Sequence, residues 1–401
     1  MTASEEVLAR LMSPEGLADP YPHYHALRTL APVCQAGNVY FLSGYDACRE
    51  VLADPRFRVQ DPAWYDVKLP GWRDCTATRL MYQSVQSRND PDHSRLRRLL
   101  AGAFSPRPMA AYRALIERVV PRLLDRMADA GPGPVDLMTQ LAYPLPTAVM
   151  GEMLGVPEAD RERFRDLGTD FFKVMDMYAD SSATERMEAA AAAMLDYWTA
   201  MIEDRRRAPR DDLTTALTQA SDAGLLSADE LLGVAIFLFS AGYGTTAALV
   251  GNATEQLLAS PAEADRLRRD DDYVGAVVEE SLRHEPPSQV VPRMTGDSTV
   301  LRGVPIPAAT LLVCLVGAAQ RDPGQYPDPD RFLPSRPGGR VLSFGGGVHF
   351  CIGAALSRME AAVVLPMLFR RFPRLALAGT PERRLALRMR MHASLPVSLR
   401  G

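Results

Sequence analysis

The amino-acid sequence predicts a mainly α-helical protein with small β-sheets at its periphery. Most of the 401 residues fall in segments whose apolar side chains recur with the period of an α-helix. Stretches of β-like composition are short, and Gly, Pro or Asp bounds each of them. No Gly/Ser-rich or long Pro-rich linker interrupts the chain, so we expect residues 1–401 to form a single domain.

Three segments show the clearest helical period, and a fourth is uncharged. The three are Met109–Ala128, Thr184–Arg205 and Asp271–His284. Leu231–Thr254 carries no charge and is long enough to cross a bilayer. Its Ser, Thr, Gly and Asn residues favour instead a helix buried at the centre of a soluble protein.

Short β-like stretches and two long irregular segments complete the chain. The predicted strands are Val39–Leu42, Thr299–Leu301, Thr310–Leu315 and strands within Leu385–Val397. The irregular segments, Asp61–Asp92 and Arg321–His349, are rich in Pro, Asp and Gly. Long ordered loops in a compact domain are usually functional, so we expect both to border a site.

The overall composition is that of a soluble globular protein. Hydrophobic residues make up 47% of the chain, charged residues 23%, and the net charge is -4. This mixed, slightly acidic balance argues against nucleic acid as a partner. The start, Met1–Glu6, lacks the basic and apolar regions of a secretory signal. We therefore expect a cytoplasmic protein without a membrane segment, and a monomer.

The cysteines point to one chemically active thiol. Five are present, widely spaced and without a CxxC pair, which argues against a disulfide framework and a zinc site: Cys34, Cys48, Cys75, Cys314 and Cys351. Only Cys351 follows a glycine-rich loop, residues 344–350, and precedes a helical segment, Ala354–Phe369. Glycines allow a tight turn beside a flat ligand, and a helix entrance stabilises a thiolate.

This pattern makes Cys351 a candidate metal ligand, and two alternatives remain open. One is a buried structural cysteine, the role we expect for the other four thiols. The other is a nucleophile with His349 as its base, although no third orienting group is evident in the sequence.

The segment Phe344-Gly345-x-Gly347-x-His349-x-Cys351-x-Gly353 resembles the haem-binding signature of the cytochrome P-450 mono-oxygenases at every fixed position. The resemblance extends over nearly the whole chain. It implies the cytochrome P-450 fold, with a long central helix over haem. It also implies that Cys351 is the thiolate ligand of the iron of haem b, iron protoporphyrin IX, with Phe344, Gly345 and Gly353 around the cofactor.

Two further groups of residues fit the same family. Glu280 and Arg283 match its ExxR helix, a structural lock that Arg336 is expected to join. An exposed ion pair is the alternative for Glu280 and Arg283. The second group resembles the cationic clamp for the haem propionates, and its members are His93, Arg97, Arg293 and His349.

The uncharged stretch contains the residues expected to face the oxygen-binding side of haem. They lie in Ala241-Gly242-Tyr243-Gly244-Thr245-Thr246. By resemblance, Ala241 contacts the cofactor, Gly242 leaves room for dioxygen, and the hydroxyl of Thr245, next to Thr246, bonds the oxygen. A buried helix that merely tolerates Ser and Thr is the alternative.

Gly244 departs from the family, which usually has Asp or Glu before this threonine. The side chain that would carry protons toward the oxygen is therefore missing. Our hypothesis is that ordered water or a substrate hydroxyl replaces it. Alternatively, the reaction needs less proton delivery than an ordinary hydroxylation.

The resemblance also implies where substrate and electron donors bind. Substrate contacts are expected from five largely aromatic, aliphatic and Met-rich regions: Trp64–Met81, Phe171–Tyr178, Phe237–Thr245, Ser288–Val291 and Met391–His392. Electrons should come from NAD(P)H through a separate ferredoxin and ferredoxin reductase, because the chain lacks a flavin or iron–sulfur motif. Candidate docking residues are Arg98, Arg107 and Arg358.

We therefore expect an enzyme that activates O2 and hydroxylates or epoxidises a largely apolar small molecule. The expected setting is secondary metabolism, such as antibiotic biosynthesis. One alternative keeps the haem but catalyses oxidative coupling or ring formation without oxygen insertion. Another is a haem-binding sensor without turnover.

Overall fold

The helical period of the sequence produces helices close to the predicted bounds. The computed structural model describes residues 1–175 and 181–400. The first twelve α-helices are α1 (Ala3–Leu11), α2 (Pro14–Ala18), α3 (Tyr21–Leu30), α4 (Tyr45–Ala53), α5 (Pro62–Lys68), α6 (Thr76–Tyr82), α7 (Asp92–Ala101), α8 (Pro106–Asp129), α9 (Pro144–Leu154), α10 (Glu158–Phe171), α11 (Ser181–Arg207) and α12 (Leu213–Asp222). They are followed by α13 (Ala228–Leu258), α14 (Pro261–Arg269), α15 (Val274–His284), α16 (Val316–Ala319) and α17 (Ala354–Arg371). The expectation of a mainly α fold is confirmed.

The strands are short and belong to small sheets. They are β1 (Val33–Ala36), β2 (Val39–Leu42), β3 (Phe57–Arg58), β4 (Val135–Asp136), β5 (Val290–Thr295), β6 (Thr299–Leu301), β7 (Val304–Ile306), β8 (Leu311–Leu315), β9 (Ala376–Leu377), β10 (Glu382–Arg383), β11 (His392–Ser394) and β12 (Pro396–Ser398). The largest sheet has the order β1-β2-β8-β5-β3, and β2 and β8 are its parallel pair. The smaller sheets are β4-β12-β9, β10-β11 and β6-β7.

The chain forms two compact units. Unit 1 comprises residues 1–58, 124–142 and 245–401, and unit 2 comprises residues 59–123 and 143–244. All strands lie in unit 1, whereas unit 2 is helical in the residues that the structure describes.

Strand β8 shows how the largest sheet is buried within unit 1. Leu312 and Cys314 belong to one apolar cluster, whereas Val313 and Leu315 belong to another. Successive side chains of a strand point to opposite faces, so β8 is covered on both sides. This explains why its sequence is a continuous apolar run.

Helix α13 contains the uncharged stretch. Among the described residues it is the one helix long and apolar enough to pass a membrane-span test, and 72% of its most apolar window is buried inside the protein. That burial matches the predicted core helix.

The segment Asp61–Asp92 differs from the sequence-based prediction. We expected irregular chain, but it contains α5, α6 and a 3-10 turn at Val85–Ser87. The carboxylate of Asp61 accepts a hydrogen bond from the Trp64 N–H and so begins α5. Such seven-residue helices are too short for a clear apolar period.

Candidate haem-thiolate site

Cys351 lies in a closed loop directly before α17. Its N–H donates to the carbonyl of Phe344 at 2.9 Å, and its own carbonyl accepts from the N–H of Ala354, the first residue of α17, at 3.4 Å. The residue is exposed, whereas Cys34, Cys48 and Cys314 are buried. A ligand can therefore reach Cys351, as its predicted role requires.

Two glycines allow the loop before Cys351 to press against α4. Gly345 and Gly347 have φ angles of 70° and 62°, which L side chains rarely adopt. A Cβ on Gly347 would also approach the Leu52 carbonyl oxygen to 2.8 Å. The glycine pattern is therefore a packing requirement of this loop as well as a feature of the predicted signature.

Arg293 is a buried cation in unit 1 that forms no ion pair with a carboxylate of residues 1–175 or 181–400. It lies on β5 with 5% of its surface exposed. Its Nη1 donates to the carbonyl of Pro292 at 2.9 Å. Burial removes water from the guanidinium of Arg293 and thereby lowers its pKa. A bound anionic group would supply the missing compensation.

The other predicted clamp residues lie on two elements. His93 and Arg97 are on α7 in unit 2, one helical turn apart, and His93 is buried with its Nδ1 at 3.8 Å from the Asp90 carboxylate. His349, half-buried, ends the 3-10 turn Gly347–His349 of unit 1. Their proposed contact with a common ligand stays a prediction.

Glu280 and Arg283 form a buried ion pair on α15. Nε and Nη2 of Arg283 donate to the two carboxylate oxygens of Glu280, each at 2.7 Å. The same carboxylate accepts from the N–H of Leu333 at 2.8 Å and lies 3.5 Å from Nε of Arg336. Arg283 also donates to the carbonyls of Gln320, Pro329 and Arg331. These contacts attach the irregular 321–349 segment to α15.

Thr245 and Thr246 have different surroundings on α13. Thr245 is half-buried, whereas Thr246 is buried and its Oγ1 donates to Oγ of Ser357, on α17, at 3.1 Å. Its hydroxyl thus joins α13 to α17. The predicted place of Thr246 on the oxygen-binding side of haem stays a prediction.

Gly242 and Gly244, both on α13, differ in how closely other side chains approach them. A Cβ on Gly242 would lie 2.4 Å from Sδ of Met150, on α9, so the Met150 side chain would have to move to admit one. That Gly242 leaves room for dioxygen stays a prediction. By contrast, a Cβ on Gly244 would meet nothing within 4 Å. Ala241, beside Gly242, is half-buried and its predicted cofactor contact is untested.

The contact of the predicted substrate regions with substrate stays a prediction, and the structure shows what several of their residues contact in the protein. In Met391–His392, His392 begins β11, is fully buried, and its Nε2 lies 3.1 Å from the carboxylate of Glu255. In Trp64–Met81, the ring of Tyr65 stacks at 3.6 Å on that of Tyr82, which directly follows the region. In Phe171–Tyr178, residues 176–178 lie outside the described residues.

Sequence reasoning missed two buried acidic groups in unit 1. Glu285 bonds Nε of Arg390 at 2.7 Å and the hydroxyl of Tyr21 at 2.9 Å. Glu360, on α17, is fully buried, and desolvation raises its pKa. The partners of Glu285 lie 264 residues before it and 105 residues after it in the chain, so no local pattern could have revealed the network.

Comparison with known proteins agrees with these features. The family model for cytochrome P-450 matches residues 36–387. The chain is 36% identical to the cytochrome P-450 mono-oxygenase PikC of Streptomyces venezuelae, covering 95% of this chain and 90% of that protein. It is 34% identical to 6-deoxyerythronolide B hydroxylase of Saccharopolyspora erythraea, covering 96% of each. The structure of the cytochrome P-450 BioI with an acyl carrier protein ligated to hexadec-9Z-enoic acid superposes with a TM-score of 0.89 at 31% identity, covering 96% of this chain and 100% of that one.

These matches define a class of haem-thiolate oxidoreductases. The chain belongs to the cytochrome P-450 family and is a mono-oxygenase of that family. The residues present fit the haem that the family implies. Cys351 is exposed at a helix entrance, and Arg293 in the same unit is a buried cation without a carboxylate partner among residues 1–175 and 181–400.

Proposed function

We propose that this enzyme hydroxylates or epoxidises a largely apolar small molecule, an intermediate of secondary metabolism such as antibiotic biosynthesis. The observation that carries the proposal is that unit 1 contains both the exposed Cys351 and the buried Arg293, which has no carboxylate partner among residues 1–175 and 181–400. The names of PikC and of 6-deoxyerythronolide B hydroxylase support an oxygenation reaction. Three of the predicted substrate regions contain no Asp, Glu, Lys or Arg, which supports an apolar substrate: Phe237–Thr245, Ser288–Val291 and Met391–His392.

The chain's own residues would hold the cofactor through charge and shape. The Cys351 thiolate would bind the iron of haem b, and Arg293, His349, His93 and Arg97 would bind its propionates. The residues that would pack against the porphyrin are those predicted from the sequence, Phe344, Gly345, Gly353 and Ala241. When bound, the haem supplies the chemistry that activates O2 with electrons from outside.

On the opposite side, the hydroxyl of Thr245 would accept and pass on a proton. Gly244, just before it, has no side chain for this task, but its Cβ direction is open space. We propose that a water molecule or a substrate hydroxyl occupies this space and serves as the proton source. Thr246 would keep α13 fixed on α17 through its bond to Ser357.

The electron donor, the location and the oligomeric state of the enzyme are proposed from the family and the sequence. We infer that a ferredoxin and its reductase deliver electrons from NAD(P)H, and that the protein acts as a cytoplasmic, single-domain monomer. Arg98 and Arg107 are exposed and suit an acidic donor. Arg358 suits it less well, because its Nη2 donates to the carboxylate of Glu279 at 3.1 Å.

A second function is favoured by Gly244 alone. Without a carboxylate beside Thr245, the same haem site could couple or cyclise a substrate with no oxygen insertion. The two functions differ in the fate of O2.

Labelled dioxygen distinguishes them. Ligands would first be found by the Soret shift of the purified enzyme, starting with 6-deoxyerythronolide B and hexadec-9Z-enoic acid as probes. Turnover of a binding ligand under 18O2 is expected to add one labelled oxygen atom to the product. A product without label would establish the coupling reaction instead, and binding without any consumption of NAD(P)H would leave only the sensor.

A further inference from the structure

Residues 61–77 form a mostly exposed segment of unit 2, in which Tyr65 stacks on Tyr82 and the Asp61 carboxylate accepts a hydrogen bond from Nδ2 of Asn89 at 2.9 Å. Helix α5, within it, has no buried residue, and Val67 and Leu69 are among the exposed large apolar side chains of the protein. Trp72 is its buried anchor, and its Nε1 donates to the Asp66 carboxylate at 2.8 Å.

The two ends of this part of the chain are fixed separately. Before the segment, the side-chain amide of Asn89 binds both the N–H and the carbonyl of Val59, at 3.1 and 3.0 Å. After it, the C-terminal half of α6 packs against α13, where a Cβ on Gly233 would approach the Leu80 carbonyl oxygen to 2.8 Å. What remains to be explained is what holds the N-terminal end of α6.

Glu188, on α11, holds that end. Its carboxylate accepts from the N–H of Thr76 at 2.5 Å, from the N–H of Ala77 at 3.1 Å and from the thiol of Cys75 at 3.1 Å. Cys75, at the N-cap position of α6, makes no capping bond with its own side chain. A carboxylate from a distant helix therefore does the work that a local N-cap residue usually does.

The charge on Glu188 suits this position. Burial alone would raise its pKa, but the hydrogen bonds from Thr76, Cys75 and Ala77 outweigh burial and hold the pKa below its ordinary value. The carboxylate also lies at the positive end of the α6 backbone dipoles.

We propose that Glu188 is a positioning residue that latches residues 61–77 to α11 and thereby limits how fast ligands enter the substrate site. The link to the substrate site rests on the proposed function, in which Trp64–Met81 contacts substrate. When the latch is released, the N-terminal turn of α6 frays and the 61–77 segment moves away from α11, while residues 78–89 keep their anchors.

Hydrogen–deuterium exchange of the purified holoenzyme tests the latch. Loss of an N-cap costs about 1–2 kcal/mol, so Glu188→Ala should speed exchange in peptides covering 61–77 by about 5- to 30-fold. Peptides covering 78–89, which contact the segment through Tyr82 and Asn89, should be accelerated less. Glu188→Gln, which keeps the side-chain shape and one acceptor, should give a smaller effect in the same peptides. Glu185→Ala, one turn earlier on α11 and exposed, is the matched control and should have no effect.

Association of carbon monoxide with the reduced enzyme, after flash photolysis, tests the effect on access. It should be faster in Glu188→Ala than in the wild type and in Glu185→Ala. Unchanged exchange in peptides covering 61–77, or equal acceleration in peptides covering 78–89, would overturn the latch. Accelerated exchange without faster association of carbon monoxide would overturn its role in ligand access. The exchange result does not depend on haem chemistry. If the reduced wild-type protein under carbon monoxide lacked the absorption band of a thiolate-bound haem, the proposed function would be refuted, and the exchange experiment would still test the latch.

Discussion

Replacing Glu285 with Gln is expected to lower the free energy of unfolding by about 3 kcal/mol at neutral pH. The carboxylate is buried between Arg390, at 2.7 Å, and Arg321, at 3.6 Å. Desolvation alone would raise its pKa, but Arg390, Arg383 and Arg321 outweigh desolvation and lower the pKa from 4.5 to about 2. A carboxyl pKa that folding lowers from 4.5 to about 2 stabilises the folded state by about 3 kcal/mol. Breaking a buried pair usually costs about 3–5 kcal/mol, which agrees.

The sign of the shift fixes its pH dependence. Because the folded-state pKa lies below the unfolded value, the stabilisation by Glu285 is fully present above pH 4.5 and is lost as the pH falls toward about 2. The difference in the free energy of unfolding between wild type and Glu285→Gln should therefore be constant between about pH 8 and about pH 6, and should shrink below pH 4.5.

Urea denaturation followed by far-UV circular dichroism, at equal haem occupancy, measures this difference. The matched control is Glu117→Gln, which breaks the exposed ion pair with Arg113 on α8 and should cost less than about 0.5 kcal/mol. If Glu285→Gln cost no more than this control, the reasoning from buried charge would be refuted.

Four further substitutions test the glycines and the cation of the site. Gly242→Ala should be less favourable than Gly244→Ala, because the new methyl group would displace the end of the Met150 side chain, whereas Gly244→Ala should be neutral or stabilising by up to about 1 kcal/mol; urea midpoints compare them, and equal effects would contradict the packing described. Gly244→Glu should raise the coupling of NAD(P)H consumption to product and change the solvent isotope effect; no change in either would show that the missing acid does not shape proton delivery. Arg293→Met should weaken haem retention without loss of helix content in circular dichroism, and an unaltered haem-to-protein ratio after gel filtration would contradict its assignment to the propionates.

Sequence predicts those parts of the fold whose signal is local. The strands Val39–Leu42 and Thr299–Leu301 have the bounds expected, since apolar residues in short runs between turn residues specify them. Helices α8 and α11 agree to within three residues at each end, because their apolar period persists for several turns. Helix α6 was missed because its N-terminus is capped by Glu188, more than a hundred residues away.

The same distinction applies to the site. The Cys351 loop could be predicted because the glycines and the helix that shape it are adjacent in sequence. The environment of Gly242 could not, because it depends on Met150 from another helix. The bond between Thr246 and Ser357 joins residues 111 positions apart, and nothing in either local sequence indicates it.

The central claim is that the sulfur of Cys351 binds the haem iron, and the absorption spectrum of the reduced protein under carbon monoxide tests it most directly. We expect the red-shifted band of a thiolate-bound haem in the wild type and in the control Cys34→Ala, and its loss in Cys351→Ala. A wild type without that band, or a Cys351→Ala variant that keeps it, would contradict the account.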